Sequence, residues 1–202
     1  WAPELKGKVV VLSEMRDTLG VMMLAKGIDI SAFTEDDFNN TLDEFKKLVK
    51  DGQIRGIKGN SYVDDLKNGD AVAGIVWAGD VVSTNQELGG DVLGVVLPES
   101  GSTFACDNFL IPMGSPHAAN AEALMNYYFQ PEVAAQLALA GVFYVPPVLG
   151  AQEIAAAKNP SIGSNELIFP KDKTRLKQFR PLSSKEDNTF SKAWSDASNG
   201  VV

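Results

Sequence analysis

The segment Ser13-Glu14-Met15-Arg16-Asp17 carries residue types suited to holding a cation. Two carboxylates three positions apart share one face where a helix starts. An ammonium group placed there can donate charge-assisted hydrogen bonds to both. The same pair also suits the positive end of the helix dipole, so ordinary N-terminal capping accounts for it equally by spacing alone. Trp77 closes the run Val72 to Trp77 and precedes Ala78-Gly79-Asp80. A strand-end ring beside small residues can wall a cleft and accept a cation on its face, or it can belong to the core. Asp107, in Phe104-Ala105-Cys106-Asp107-Asn108, is a charge within an apolar run. It needs a partner, because a carboxylate buried alone is expensive.

Catalytic signatures are absent. The chain has no G-x-S-x-G elbow, P-loop, H-E-x-x-H or G-x-G-x-x-G after a strand. Its single cysteine, Cys106, excludes an internal disulfide and a four-cysteine zinc site. The single histidine, His117, lies in Ser115-Pro116-His117-Ala118 and reads as a solvated turn feeding a helix. A binding protein without cofactor or metal is therefore expected rather than an enzyme.

The elements that must position these residues alternate between strand and helix. Lys8 to Leu12 reads as a buried strand, and Met15 to Lys26 as a helix stopped by Gly27. Thr34-Glu35-Asp36-Asp37 resembles a capping box and opens a helix with Phe38, Leu42, Phe45, Leu48 and Val49 at helical spacing. Ile54 to Ile57 reads as a strand, Tyr62 to Lys67 as a short helix, and Val72 to Trp77 as a buried strand. Val81 to Leu88 reads as a helix, Val92 to Leu97 and Phe104 to Ile111 as strands. Asn120 to Phe129 and Pro131 to Ala140 follow as helices, the second with proline at its first turn. Tyr144-Val145-Pro146-Pro147 must be extended. Helices are expected near Gly150 to Ala157, Lys171 to Phe179 and Lys185 to Ser198. Such alternation predicts an α/β layered fold. Glu14 and Asp17 then lie beyond the carboxyl end of the first strand, where open α/β sheets bind ligands.

With 202 residues the chain is long enough for a sizeable core. It carries 18 basic and 26 acidic side chains, a formal net charge of −8. That balance argues against a nucleic-acid backbone as partner. The acid is concentrated in residues 1–104, with 10 basic and 17 acidic side chains against 8 and 9 in the remainder. Such a field suits a cationic ligand, although Asp36, Asp37, Asp43, Glu44, Asp64 and Asp65 read as solvated helix faces. The basic run Lys171 to Lys177 reads as another solvated face, or as one turned toward a permease or anionic lipid. No run approaches the length needed to span a bilayer. Trp1-Ala2-Pro3 lacks Met, a basic segment and an apolar segment, so no signal peptide is expected, and the chain reads as processed or as a piece of something longer.

Six motifs in order resemble the spermidine/putrescine-binding proteins of bacterial ABC transporters. They are K-G-K-V-x-x-L-x-E-x-R-D, N-S-Y-V-D-D-L-x-x-G-D, G-I-V-W-A-G-D, F-A-C-D-N-F-L-I-P, A-L-x-x-x-Y-F-x-P-E-V-A and F-Y-V-P-P. The resemblance spans Trp1 to about Gly200. It implies a two-lobed periplasmic-binding-protein-like (type II) α/β fold, of which this chain holds one complete lobe and part of a second. Residues 1–104 and 146–202 would form the second lobe. Residues 105–145 would belong to the first, whose amino-terminal segment lies outside the chain and would cover apolar surface exposed here.

The resemblance also implies a polyamine held by carboxylates on its ammonium groups and by rings on its methylene chain. Glu14 and Asp17 match an ammonium-binding D-x-x-E pair with the two types exchanged. Trp77 matches a stacking ring, Asp107 a carboxylate for a further ammonium group, Tyr144 a Tyr of a Y-x-x-P segment, and Ser61 a polar contact. Arg16, between the carboxylates, reads as a structural or hinge partner. Ala105 stands where the family often has Trp, which points away from spermidine and toward a shorter or bulkier amine. The implied partners are a small cationic ligand and a membrane permease. The implied location is periplasmic or extracytoplasmic, with a lipoprotein anchor one form of attachment. A different small solute on the same fold is the alternative.

Overall fold

The computed structural model describes residues 1–141 and 147–199. The expected extended segment Tyr144-Val145-Pro146 therefore lies outside the described residues. The chain forms two compact units: Trp1–Val76, Val96–Ala105 and Thr174–Val202 make the first, and Trp77–Val95 and Cys106–Lys173 the second.

The first unit is built on β1 (Val9–Leu12), the centre of a three-stranded parallel sheet ordered β2-β1-β3, with β2 at Ile54–Lys58 and β3 at Ala73–Gly74. Val10 pairs with Gly56 on one side and Gly74 on the other. All four β1 residues are buried, as a run of β-branched residues in a central parallel strand requires. α1 (Met15–Ala25) follows directly and buries Met15, Leu19, Met22, Met23 and Leu24. It ends before Gly27, which takes a φ of 76°. α2 (Glu35–Lys50) starts on the expected capping box, with Thr34 Oγ1 accepting from Asp37 N at 3.2 Å and Asp37 Oδ2 accepting from Thr34 N at 2.8 Å. α3 (Tyr62–Lys67) follows β2.

The carboxyl-terminal α9 (Ser184–Ser198) returns to this core. Phe190 stacks on Phe38 with centroids 3.8 Å apart, and Trp194 packs against Phe45. Arg180, which precedes α9, donates from Nε to the Phe33 carbonyl at 2.9 Å and covers the Phe33 ring. A second, two-stranded parallel ladder pairs β4 (Ser102–Thr103) with β5 (Leu176–Lys177).

The second unit is helical: α4 (Ala78–Leu88), α5 (Ala118–Tyr128), α6 (Pro131–Leu139), α7 (Ala151–Lys158) and α8 (Pro160–Gly163). Its core joins Ala134, Ala135, Ala138, Ala151 and Ala155 to Val82, Ile162, Ile168 and Phe169. Small residues let α6, α7 and α8 approach closely. This packing groups 77–95 and 147–173 with 106–141, a division that differs from the expected lobe boundaries. α5 buries no residue, and Leu110, Met113, Leu124 and Leu149 are exposed.

Four expected elements differ. Val72 to Trp77 is not a buried strand: only Ala73–Gly74 pairs, and Val72 is 56% exposed. Val92 to Leu97 and Phe104 to Ile111 contain no strand. An apolar run becomes a strand only where a neighbouring edge takes its backbone hydrogen bonds, and here that pairing is limited to Ser102–Thr103. Lys171 to Phe179 is not a helix: its Leu176–Lys177 pairs with β4, and Phe179 is buried against Phe33 with ring centroids 4.6 Å apart.

Candidate functional site

Glu14 and Asp17 stand at the carboxyl end of β1, as their position in the sequence predicts. Glu14 is the N-cap residue of α1 with extended backbone, yet its side chain makes no capping hydrogen bond. Its carboxylate instead accepts from the adjacent Ser13 Oγ at 3.2 and 3.1 Å, and it is exposed. Asp17 is half-buried in the first turn of α1. Thr103 Oγ1 donates to its Oδ1 at 2.9 Å. Arg16, between the two in sequence, is held by Asp187 at 2.9 Å.

The backbone beneath this pair is fixed from three directions. Ser13 N donates to the Lys58 carbonyl at 2.9 Å, which extends the β1–β2 pairing one step past the strand. The Ser13 carbonyl accepts from Trp194 Nε1 at 2.8 Å. Buried Thr18 donates from Oγ1 to the Leu12 carbonyl at 2.7 Å, tying the first turn of α1 back to β1.

Ser61 is exposed at the N-cap of α3, and its side chain makes no capping bond. Its loop abuts the first one, since a Cβ on Gly59 would lie 3.7 Å from Ser13 Oγ. An ion pair between Lys58 of β2 and buried Asp65 of α3 anchors that loop. Glu14, Asp17 and Ser61 are therefore the expected residues that one unit brings to the same edge of one parallel sheet.

The other expected residues belong elsewhere. Trp77 is half-buried at the N-cap of α4 in the second unit. Asp107 is not inside a strand and not buried: it is exposed in an irregular segment of that unit, so solvent supplies the partner that burial would have demanded. Tyr144 lies outside the described residues. His117 is exposed at the N-cap of α5, as a turn residue should be.

Thr103, Trp194 and Lys58 support the site without having been singled out from the sequence, and Asp65, which reads there as solvating a helix face, is instead buried because Lys58 pairs with it. Thr103 is 86 positions from Asp17 and Trp194 is 181 from Ser13, so no local spacing connects them. The Lys58–Asp65 pair alone had a local signal, a lysine ending a strand and a carboxylate in the next helix. Among the described residues, no cluster of His, Cys, Asp and Glu could hold a metal ion, and no helix is long and apolar enough to cross a membrane. A cavity of about 580 Å³ in the second unit, lined by Val82, Gln86, Asp91, Leu93, Ile162 and Leu167, contains none of the expected site residues.

Residues 1–164 match the family model described as bacterial extracellular solute-binding protein. The putrescine-binding periplasmic protein PotF of Escherichia coli (strain K12) is 28% identical over 153 residues, covering 73% of this chain and 40% of its own. The spermidine/putrescine-binding periplasmic protein of the same organism is 23% identical over 174 residues, covering 86% of this chain and 48% of its own. The chain thus spans about half the length, or less, of these curated relatives. The crystal structure of the spermidine/putrescine ABC transporter substrate-binding protein PotD from Streptococcus pneumoniae superposes with a TM-score of 0.75 at 21% identity, covering 99% of this chain and 60% of that one. The fold is accordingly periplasmic-binding-protein-like.

Proposed function

The chain belongs to the bacterial extracellular solute-binding proteins, and from that membership we propose that it is a polyamine-binding component of an ABC importer. The observation that carries the reading is the pair Glu14 and Asp17 at the carboxyl end of a central parallel strand, with Arg16 between them engaged by Asp187. A carboxylate pair on a braced backbone is suited to an ammonium group. The names of the relatives, spermidine/putrescine-binding and putrescine-binding, support that ligand class.

In this reading Glu14 and Asp17 accept hydrogen bonds from one ammonium end, and Ser61 contributes a polar contact. Trp77 stacks on the methylene chain, Asp107 takes a further ammonium group, and Tyr144 adds a ring. A hydrogen bond to a charged group contributes about 1.5–3 kcal/mol. At the upper end of these ranges, three such contacts with one or two cation–π walls reach about −8 kcal/mol, a micromolar dissociation constant, after the smallest association costs. The protein binds and hands over its ligand without chemical turnover, acts outside the cytoplasm, and delivers to a membrane permease.

Calorimetric titration with putrescine and spermidine at low salt tests the proposal, with Glu14→Gln, Asp17→Asn and Asp107→Asn as comparisons. Saturable binding that weakens at least about tenfold in the first two variants supports it. Binding that all three leave unchanged assigns the ligand to other residues. No saturable binding of either amine, by this chain or by a version extended to the length of its relatives, overturns the polyamine reading.

A further inference from the structure

We propose that Thr103 is a positioning residue for the cation site: its hydroxyl fixes the Asp17 carboxylate and makes the β4–β5 ladder responsive to the ligand. The proposal rests on the reading of Glu14 and Asp17 as ammonium ligands.

Both branches of the Thr103 side chain are engaged. Oγ1 donates to Asp17 Oδ1 at 2.9 Å. The methyl lies flush on α1, since a Cβ on Gly20 would come within 2.6 Å of Thr103 Cγ2. A β-branched residue held at both branches keeps one rotamer. Asp17 and Gly20 are three apart on α1, so one face of that helix receives both branches. The hydroxyl thus sets the rotation of the Asp17 carboxylate from outside its own helix and leaves Oδ2 out of that bond. A carboxylate held at one oxygen presents the other without first losing side-chain freedom, which is the benefit of preorganisation.

The backbone of Thr103 belongs to the β4–β5 ladder. Ser102 N donates to the Arg175 carbonyl at 2.9 Å and Phe104 N to the Lys177 carbonyl at 2.8 Å. Ala105 is the last residue of this stretch of the first unit, and Thr174 is the first on the chain's return to it. The ladder therefore closes over one departure of the chain from the unit and one return. A single hydrogen bond connects it to the carboxylate that would meet the ligand. A cation that immobilises Asp17 restrains Thr103, and with it the two ladder bonds that flank Thr103.

The test compares Thr103→Val, which keeps the shape and removes the donor, with Thr103→Ser, which keeps the donor. The form of the protein in which putrescine binding is observed is used. Thr103→Val is expected to bind putrescine about tenfold more weakly, with Thr103→Ser within about threefold of the unaltered chain. In an Asp17→Asn background the valine substitution is expected to have little further effect, since the two residues act as one unit. Hydrogen exchange at the Phe104 and Ser102 amides is expected to slow on putrescine addition in the unaltered chain and in Thr103→Ser, and to stay constant in Thr103→Val. A merely structural threonine would change stability without this ligand-dependent protection. Putrescine binding that Thr103→Val leaves unchanged, or ladder protection that survives in it, overturns this proposal and leaves the polyamine reading standing. Absence of putrescine and spermidine binding both by the unaltered chain and by a version extended to the length of its relatives overturns both.

Discussion

The indole N–H of Trp194 donates to the carbonyl of Ser13 at 2.8 Å, so a residue of the last helix fixes the backbone immediately before Glu14. The ring itself is buried against Phe45, with centroids 4.7 Å apart. One side chain thus links the packing of α9 to the rim of the sheet where the carboxylates stand.

Trp194→Phe keeps most of the packing and deletes the donor. It is expected to destabilise the chain by about 1–2 kcal/mol, the range for a lost hydrogen bond that leaves its acceptor unpaired. Urea denaturation followed by far-ultraviolet dichroism measures it, and a midpoint equal to that of the unaltered chain would show that the bond is replaced by water.

Gly20→Ala opposes two effects. Alanine is favoured over glycine in a helix interior by about 1 kcal/mol. The added Cβ, however, would meet Thr103 Cγ2 at 2.6 Å and Phe179 Cδ2 at 3.6 Å in a filled interior. Overpacking of this kind costs about 1–3 kcal/mol, so a net loss of stability is expected. Because Thr103 must move to relieve the contact, its bond to Asp17 should break as well. A thermal melt shows the first effect and a putrescine titration the second.

Gly163→Ala probes the second unit in the same way. A Cβ at Gly163 would collide with the Cβ, Cα and backbone nitrogen of Ala156, where α7 and α8 touch. Backbone cannot turn aside as a side chain can, so a loss of about 2–4 kcal/mol is expected. Limited proteolysis should cut within 147–173 faster in this variant, with residues 1–76 protected as before.

Glu186 predicts a specific acid limb. Hydrogen bonds from Arg180, then from the backbone and hydroxyl of Ser183, hold its carboxyl down from 4.5 to about 2. A depressed carboxyl contributes stability that is complete above its ordinary value and is lost as pH falls through the folded-state value. The unaltered chain should therefore lose stability between about pH 4.5 and 2. Glu186→Gln should be less stable at pH 7 and less sensitive to pH across that window. Denaturant midpoints at pH 7, 4 and 2.5 for both chains decide it, and parallel curves would remove Glu186 from the acid limb.

Elements whose signals are local were legible in the sequence. Thr34 with Asp37 opened α2, Gly27 followed α1, and the helix ending at Ser198 was expected within one residue of its start. Caps and helical periodicity involve residues a turn apart, so their energetics can be read without knowing the rest of the chain. The Glu14 and Asp17 pair was legible for the same reason, being a strand end followed by a helix start.

Tertiary structure decided everything that depends on a distant partner. Val92 to Leu97 and Phe104 to Ile111 have apolar strand composition, but beyond the Phe104 amide, which donates to Lys177, no neighbouring edge pairs with them, and they stay irregular. Leu176–Lys177 lies in a stretch that reads as helix and became a strand because Ser102–Thr103 offered its edge. Asp107 was expected in a buried strand and stands in solvent. Composition and spacing alone determined an acidic α/β chain with a carboxylate pair at the end of its first strand. What braces that pair depended on Thr103 donating to Asp17, Trp194 donating to the Ser13 carbonyl and Asp187 accepting from Arg16, contacts brought within 3 Å across 86, 181 and 171 positions by burial of a shared core. Hydrophobic burial is non-directional, so it assembles such contacts without leaving any periodicity in the sequence to announce them.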